Sequence, residues 1–442
     1  MKSLFLLLLL AHSAVAATYL VRDGGDGSSP TTSWAGAYDQ ISSAEAAASR
    51  GDTIYVSDGN YTGLTIDIAN SGTSRVIFKK ATVADHGVAT GWDNAYGDGQ
   101  AVLSSGIVFE VGYITIDGQT EYGFRIDIGE GGRGISQNGT SLANLSGHIW
   151  QYIQFEGPAG TTDYFWTDQT VGIYSAPFTA YSEDVLISHV SIRGFETLML
   201  TAQTRRWILE HSVLSYSRTS NGDPQSPHPN VWYNQLSEDL VIRYNDFSHW
   251  ENTGIYLVGA CDNLKAYGNY FHDPENVFPW SFHPTSFGGS GVFQCFIYNN
   301  TFDYGSVEFG IVDFDQDDAN TTVTGDVRNN IFKGSAFYCT YDDATHDYNW
   351  FEGADKDGET NGIAAGSTNP FTVAPVISET VSSTLPRNKG QALASEYNTD
   401  ADGNVRGADG TWDMGAYEFS SGGGGGATIQ TLNVQNLTIT GP

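Results

Sequence analysis

Arg243-Tyr-Asn245-Asp-Phe247 is the first of five segments that decide the fold. Tyr267-Gly-Asn269-Tyr-Phe271, Tyr298-Asn-Asn300-Thr-Phe302, Arg328-Asn-Asn330-Ile-Phe332 and Asp347-Tyr-Asn349-Trp-Phe351 repeat it. The asparagines are 24, 31, 30 and 19 residues apart. Recurrence every ~20–50 residues marks a solenoid, in which one supersecondary unit stacks on the next. Each unit is short, β-branched or aromatic, and punctuated by Asn and Gly, so it reads as strands and turns, not helices. The uneven spacing implies coils of fixed cross-section interrupted by loops of different length. The expected fold is all-β: a single-stranded right-handed parallel β-helix.

An asparagine stacked inside a coil bend hydrogen-bonds the turn backbone above and below it. The asparagines and phenylalanines are therefore expected to be structural, and chemistry is expected in the gaps between them. Counting on from Phe302 reaches Phe309-Gly-Ile-Val-Asp313-Phe-Asp315. Strand alternation sends Val312 and Phe314 inward and Asp313 and Asp315 outward, about 6.5–7 Å apart. That separation suits paired carboxylates, and like charges so held favour a general acid beside a base or nucleophile. With Asp317, the same residues also form a candidate Ca²⁺ site of hard oxygen ligands. No other cofactor is indicated.

The longest gaps carry His-Pro loops. His228 lies among Pro224, Pro227 and Pro229, and His283 follows Trp280 and precedes Pro284. Proline-stiffened loops with aromatics are where a solenoid builds a groove. Tyr233, Trp250, Tyr256 and Trp280 are candidate platforms for sugar rings, and Arg218 is a candidate cation for substrate. Asp313 and Asp315 are the candidate catalytic pair, assisted by His228 and His283.

Composition narrows the partners. The 442 residues hold 20 Lys+Arg against 51 Asp+Glu, a net charge of −31. Phosphate binding needs clustered cations, so nucleic acid and anionic membrane are excluded as partners. Met1-Lys-Ser followed by an apolar run to Leu10 and Ala14-Val-Ala16 reads as a secretory signal peptide over 1–16. No other stretch approaches the ~18 apolar residues of a membrane helix. Cys261, Cys295 and Cys339 are an odd number for an exported chain; small core-filling side chains are the expected role.

Near the start, a tyrosine strand at Thr18–Arg22 leads through a Gly-rich loop to a Trp-bearing, Ala-rich segment over 34–49 with helical spacing. Gly51-Asp-Thr-Ile-Tyr-Val56 and Gly59-Asn-Tyr61 follow. Near the end stand Asp402-Gly-Asn-Val-Arg406 and Asp413-Met-Gly-Ala-Tyr-Glu418. This order resembles secreted, pectate-lyase-like right-handed β-helix proteins over roughly Thr18–Phe419. The resemblance implies a helical cap at about 34–49 and a closing coil at about 384–419. It also implies a carbohydrate-active protein, since that broad group includes polysaccharide lyases, glycoside hydrolases, epimerases and adhesins. The β-helix domain is expected at 17–419, a Gly-rich linker at 420–426 and a strand-like tail at 427–442.

Two functions of different class are compatible with these residues. One is a secreted enzyme that cleaves a polysaccharide, as hydrolase or lyase, in a groove across the coils. The other is a non-catalytic surface, adhesin or filament protein that uses the β-helix as a rod and the tail for cell-surface attachment or self-assembly.

Overall fold

The computed structural model describes residues 16–69, 72–120, 122–137, 145–158, 170–176, 181–217, 229–275, 280–285, 291–305, 311–313, 321–334, 336–338, 343–353, 356 and 358–419. For 280–285, 291, 311–313, 321, 323, 336–338 and 343 it describes the backbone alone. The proposed signal peptide, apart from Ala16, and the linker and tail lie outside these residues.

The chain winds through three parallel faces in a fixed order. Face A runs from Thr18–Val21 and Thr53–Val56 through Val241–Arg243 to Asp343–Asp347. Face B is a sheet of twelve strands from Gly59–Tyr61 to Ile363–Ala364. Face C runs from Leu64–Ile66 through Thr197–Arg205 and Asn230–Glu238 to Ala336–Tyr338. All the pairings within the three faces are parallel, and crossovers between parallel strands are right-handed in nearly all proteins. The chain is a parallel β-helix, as the repeats predicted.

The repeats sit at the corner from face A to face B. The residue before each ladder asparagine turns the chain in the left-handed region: Tyr244 (φ 60°), Gly268 (66°), Asn299 (52°), Asn329 (59°) and Tyr348 (60°). Each asparagine then points into the coil. Asn245 N donates to Asn269 Oδ1 at 3.0 Å, and the same bond recurs from Asn269 to Asn300, Asn300 to Asn330 and Asn330 to Asn349. Each Nδ2 also donates to the next Oδ1 and to a carbonyl, such as Asn300 Nδ2 to Ala266 O at 2.9 Å. The ladder starts on Ser212, whose N donates to Asn245 Oδ1 at 3.0 Å. It ends on the buried carboxylate of Glu359, which accepts from Asn349 N at 2.9 Å and Nδ2 at 2.6 Å.

Beside the ladder the phenylalanines stack. Phe247, Phe271, Phe302, Phe332 and Phe351 have successive ring centroids 4.6, 5.0, 5.2 and 5.2 Å apart with interplanar angles under 20°. Each such pair adds about 0.5–1.5 kcal/mol beyond area burial, so ladder and stack together set the register of these coils.

The cap is shorter than expected. A 3-10 turn at Trp34–Gly36 precedes an α-helix at Ile41–Ala47, because Tyr38 between them pairs its backbone with Leu20 and Arg22. Ile41 and Ala44 enter the main core beside Val21, Ile54 and Val56, covering the first coil.

Residues 384–419, expected as a closing coil, form no strand of the three faces. Instead the chain beyond Phe371 runs back over the outside of faces A and B as a strap. Trp350 Nε1 donates to Thr384 O, Asn329 Nδ2 to Gln391 O and Tyr244 Oη to Thr399 O, successively further back along the helix. Tyr397 packs between Tyr267 and Tyr298 at 4.9 Å from each ring. Gly415 (φ 101°) then lies so close to Ile331 and Thr301 that a Cβ would meet them at 2.6 and 2.9 Å. This contact gives the glycine of Asp413-Met-Gly-Ala a physical role.

Candidate functional site

With the later coils of faces A and B overlaid by the strap, face C carries the unequal insertions. The stretches 138–144, 159–169, 177–180, 218–228, 276–279, 286–290, 306–310, 314–320 and 339–342 each adjoin a face C strand in the chain. The corner from A to B has only two-residue turns along the ladder. His283-Pro284, expected in a loop, lies instead within the face C strand Trp280–Thr285, paired with Tyr256 and Leu257.

Register defines what that face presents. Ile135, Ile173, Met199, Trp232 and Ile255 form one column, each at most 1% exposed. The next residue along each strand forms the neighbouring outward row: Ser136, Tyr174, Leu200, Tyr233 and Tyr256. Tyr174, Leu200, Tyr233 and Tyr256 are half-buried, and the Tyr233 and Tyr256 rings meet edge-on at 5.5 Å. Burial raises the Tyr233 phenol above its ordinary pKa, so it is a neutral donor and an apolar face.

Tyr256 is in register with His283, and Asp313 with Tyr338. Phe282 pairs with Val312, so one further residue along each strand puts Asp313 on the rung next to His283. The backbone therefore lines up Tyr174, Leu200, Tyr233, Tyr256, His283, Asp313 and Tyr338, one rung of ~4.8 Å after another. Four sequence-selected residues, Tyr233, Tyr256, His283 and Asp313, fall in this row. Trp280 takes another register position, shared with Thr253 and Asn230. His228, Arg218, Asp315 and Asp317 lie outside the described residues.

Trp250 is corrected. It is 0% exposed and packs edge-on against Phe271 and Tyr304 at 6.3 and 6.0 Å. His249 before it is left-handed (φ 54°), which resets strand alternation and turns Trp250 into the core. It cannot serve as a sugar platform.

Tyr174, Leu200 and Tyr338 went unnoticed in the sequence. A signal was available for Tyr174: Gly172-Ile-Tyr174 repeats Gly254-Ile-Tyr256. Arg133 was also missed; its guanidinium lies 3.4 Å over the Tyr174 ring. Four cations on which elimination at a uronate could draw are engaged elsewhere. Arg205 pairs with Glu183 and Glu238, Arg206 with Asp184, Arg243 with Glu210 and Lys265 with Glu396. Of the other histidines, His272 sits between Asp246 and Asp273 at 2.8 and 2.7 Å on face B. These two carboxylates outweigh its burial and raise it to about 9.

Cys261 and Cys295 are buried and not disulfide-bonded, and burial lifts the Cys261 thiol to about 12, as befits core filling. Among the described residues no group of His, Cys, Asp and Glu is arranged to hold a metal ion. No helix there is long and apolar enough to cross a membrane.

Comparison with known proteins gives no match to any family model and none to a curated protein. Solved structures do resemble it. A pectate lyase, Pel9A, is 11% identical over 91% of this chain and 96% of its own, with a TM-score of 0.40. XylC in complex with xylose is 10% identical over 91% and 98%, with a TM-score of 0.46. The Dettilon tailspike protein is 11% identical over 80% and 67%, with a TM-score of 0.36.

Proposed function

We propose that this chain is an exported polysaccharide-cleaving protein that holds its substrate along face C. The carrying observation is the outward row, in which aromatic residues on consecutive rungs lead to His283 and then Asp313. Flat apolar faces at sugar-sized intervals suit stacking of successive rings.

Hydrolysis is the reaction favoured. A uronate-directed lyase needs a cation beside its base, and Arg205, Arg206, Arg243 and Lys265 are committed to carboxylates. Arg133 is five rungs from His283, about 24 Å at ~4.8 Å per rung. In hydrolysis one carboxyl of the Asp313–Asp315 pair protonates the glycosidic oxygen as its bond to the anomeric carbon breaks. The other removes a proton from the water whose oxygen takes that place. His283, in register one rung away, would assist. The 1–16 leader would export the chain. The 427–442 tail would attach or assemble it.

The test is a polysaccharide panel assayed for new reducing ends, with and without Asp313→Asn. Loss of reducing ends at unchanged melting temperature supports the reading. An unsaturated, ultraviolet-absorbing product that persists in Asp313→Asn replaces hydrolysis by elimination. Binding with no product on any polysaccharide removes catalysis and leaves a binding protein. Activity abolished by chelation and restored by Ca²⁺ would reassign Asp313, Asp315 and Asp317 as ligands.

A further inference from the structure

A second cavity lies on face B, in the N-terminal coils, away from the row on face C. Its volume is about 500 Å³, within the ~300–1,000 Å³ of small-molecule sites. Asn60, Val102, Arg125 and Gln154 occupy consecutive rungs in one column, and Asp127, Glu156 and Arg193 in a parallel one. Asn60, Ser104, Arg125, Asp127 and Glu156 supply its polar lining, and Val102 and Ile128 its apolar part.

The two columns are locked by ion pairs. Arg125 Nε lies 2.6 Å from Asp127 Oδ1, and Arg193 Nε lies 2.7 and 2.8 Å from the Glu156 oxygens. Each guanidinium is held only through Nε, so the terminal nitrogens of Arg125 have no protein partner among the described residues. The lining thus combines spare N–H donors, carboxylate acceptors, an amide and a hydroxyl, while its charges cancel in pairs.

We propose that this pocket binds a neutral saccharide through its hydroxyls. An anionic ligand would meet Asp127 and Glu156, and a cation would meet Arg125. A neutral polyol satisfies both, because each hydroxyl donates to a carboxylate and accepts from a guanidinium, with charge-assisted bonds about twice as strong as neutral ones. Val102 and Ile128 offer an apolar surface to the C–H face of a ring. The site is on another face, so it stands whether or not face C cleaves anything.

Titration of the full chain with cellohexaose, xylohexaose and mannohexaose, and with trigalacturonate as an anionic counter-probe, tests it. At least one neutral hexasaccharide should bind. Ser104→Trp, which fills the cavity from an exposed position, and Glu156→Gln should each weaken that binding at least tenfold. Asp313→Asn should leave it unchanged. Thermal melts confirm that each variant folds, and Ser104→Trp disturbs no ion pair if Glu156→Gln fails to fold. Absence of neutral-sugar binding, binding indifferent to Ser104→Trp, loss of binding in Asp313→Asn, or capture of trigalacturonate alone would each overturn the proposal.

Discussion

The corner between faces A and B and the outward row of face C belong to the same coils and are built in opposite ways. At the corner, each coil repeats its neighbour: asparagine over asparagine, phenylalanine over phenylalanine, with two-residue turns. On face C the rungs differ, from Leu200 to Tyr233 to His283 to Asp313, and long insertions enter and leave. Repetition stabilises because each buried amide is satisfied in part by the identical amide one coil away. Variation is tolerated where side chains leave the stack. A β-helix can therefore divide its perimeter into a part that holds register and a part that is free to change.

The sharpest break of that comparison is on face C. Asp313→Asn should lower depolymerisation by about 10²–10⁴-fold, the usual contribution of an acid–base group, with no change in melting temperature. A fall in stability without a fall in rate would move Asp313 to the structural side.

Trp250→Ala should do the reverse. Deleting a fully buried tryptophan costs about 3–5 kcal/mol, measurable by denaturant unfolding, because Trp250 fills the core between Phe271 and Tyr304. A variant of native stability that loses sugar binding would restore its role as a platform.

Asn300→Ala strikes the ladder itself. It strands the buried N–H and Nδ2 of Asn269 and removes a donor to Ala266 O. At about 1–3 kcal/mol for an orphaned buried group, a loss of about 3 kcal/mol is expected in chemical denaturation. The half-buried Tyr256, replaced by Ala, should lose less stability and more substrate affinity.

The smallest effect is a pH dependence of the strap. Desolvation, followed by the Asp413 charge, raises Glu418 from 4.5 to about 7. A carboxyl raised on folding stabilises while protonated, so its contribution is complete below about 4.5 and lost as pH rises through about 7. The expected change is on the order of 1–3 kcal/mol. His272, raised to about 9 by its two carboxylates, adds stability that is full below 6.5 and lost as pH rises through about 9. Limited proteolysis of residues 384–419 should therefore quicken from pH 5 to pH 8, and quicken again toward pH 10. A rate flat across that range would show that neither group holds the strap.

Much of this division could be read in the chain alone. The ladder was legible because a polar group inside a stacked coil must recur in sequence to be satisfied, and Asn245 to Asn349 recur. Its end was not: Glu359 lies ten residues beyond Asn349 with no local pattern, and only the closing of the last coil brings it under that amide. Trp250 misled because an aromatic side chain suits a sugar platform and a core alike, and only the left-handed backbone at His249 turns it inward. The strap also escaped, since aromatic and glycine residues at 384–419 read alike whether they close a coil or lie across its outer wall.

What the sequence determined by itself was therefore the solenoid, the position of its asparagine corner and the location of its variable gaps, all of which rest on repetition along the chain. The tertiary structure decided which of three faces those gaps surround. It also decided which residues of Tyr174, Leu200, Tyr233, Tyr256, His283 and Asp313 stand one rung apart, and that the later coils of faces A and B are overlaid. Lateral pairing between coils of unequal length makes those neighbours, and no fixed spacing in the sequence encodes it.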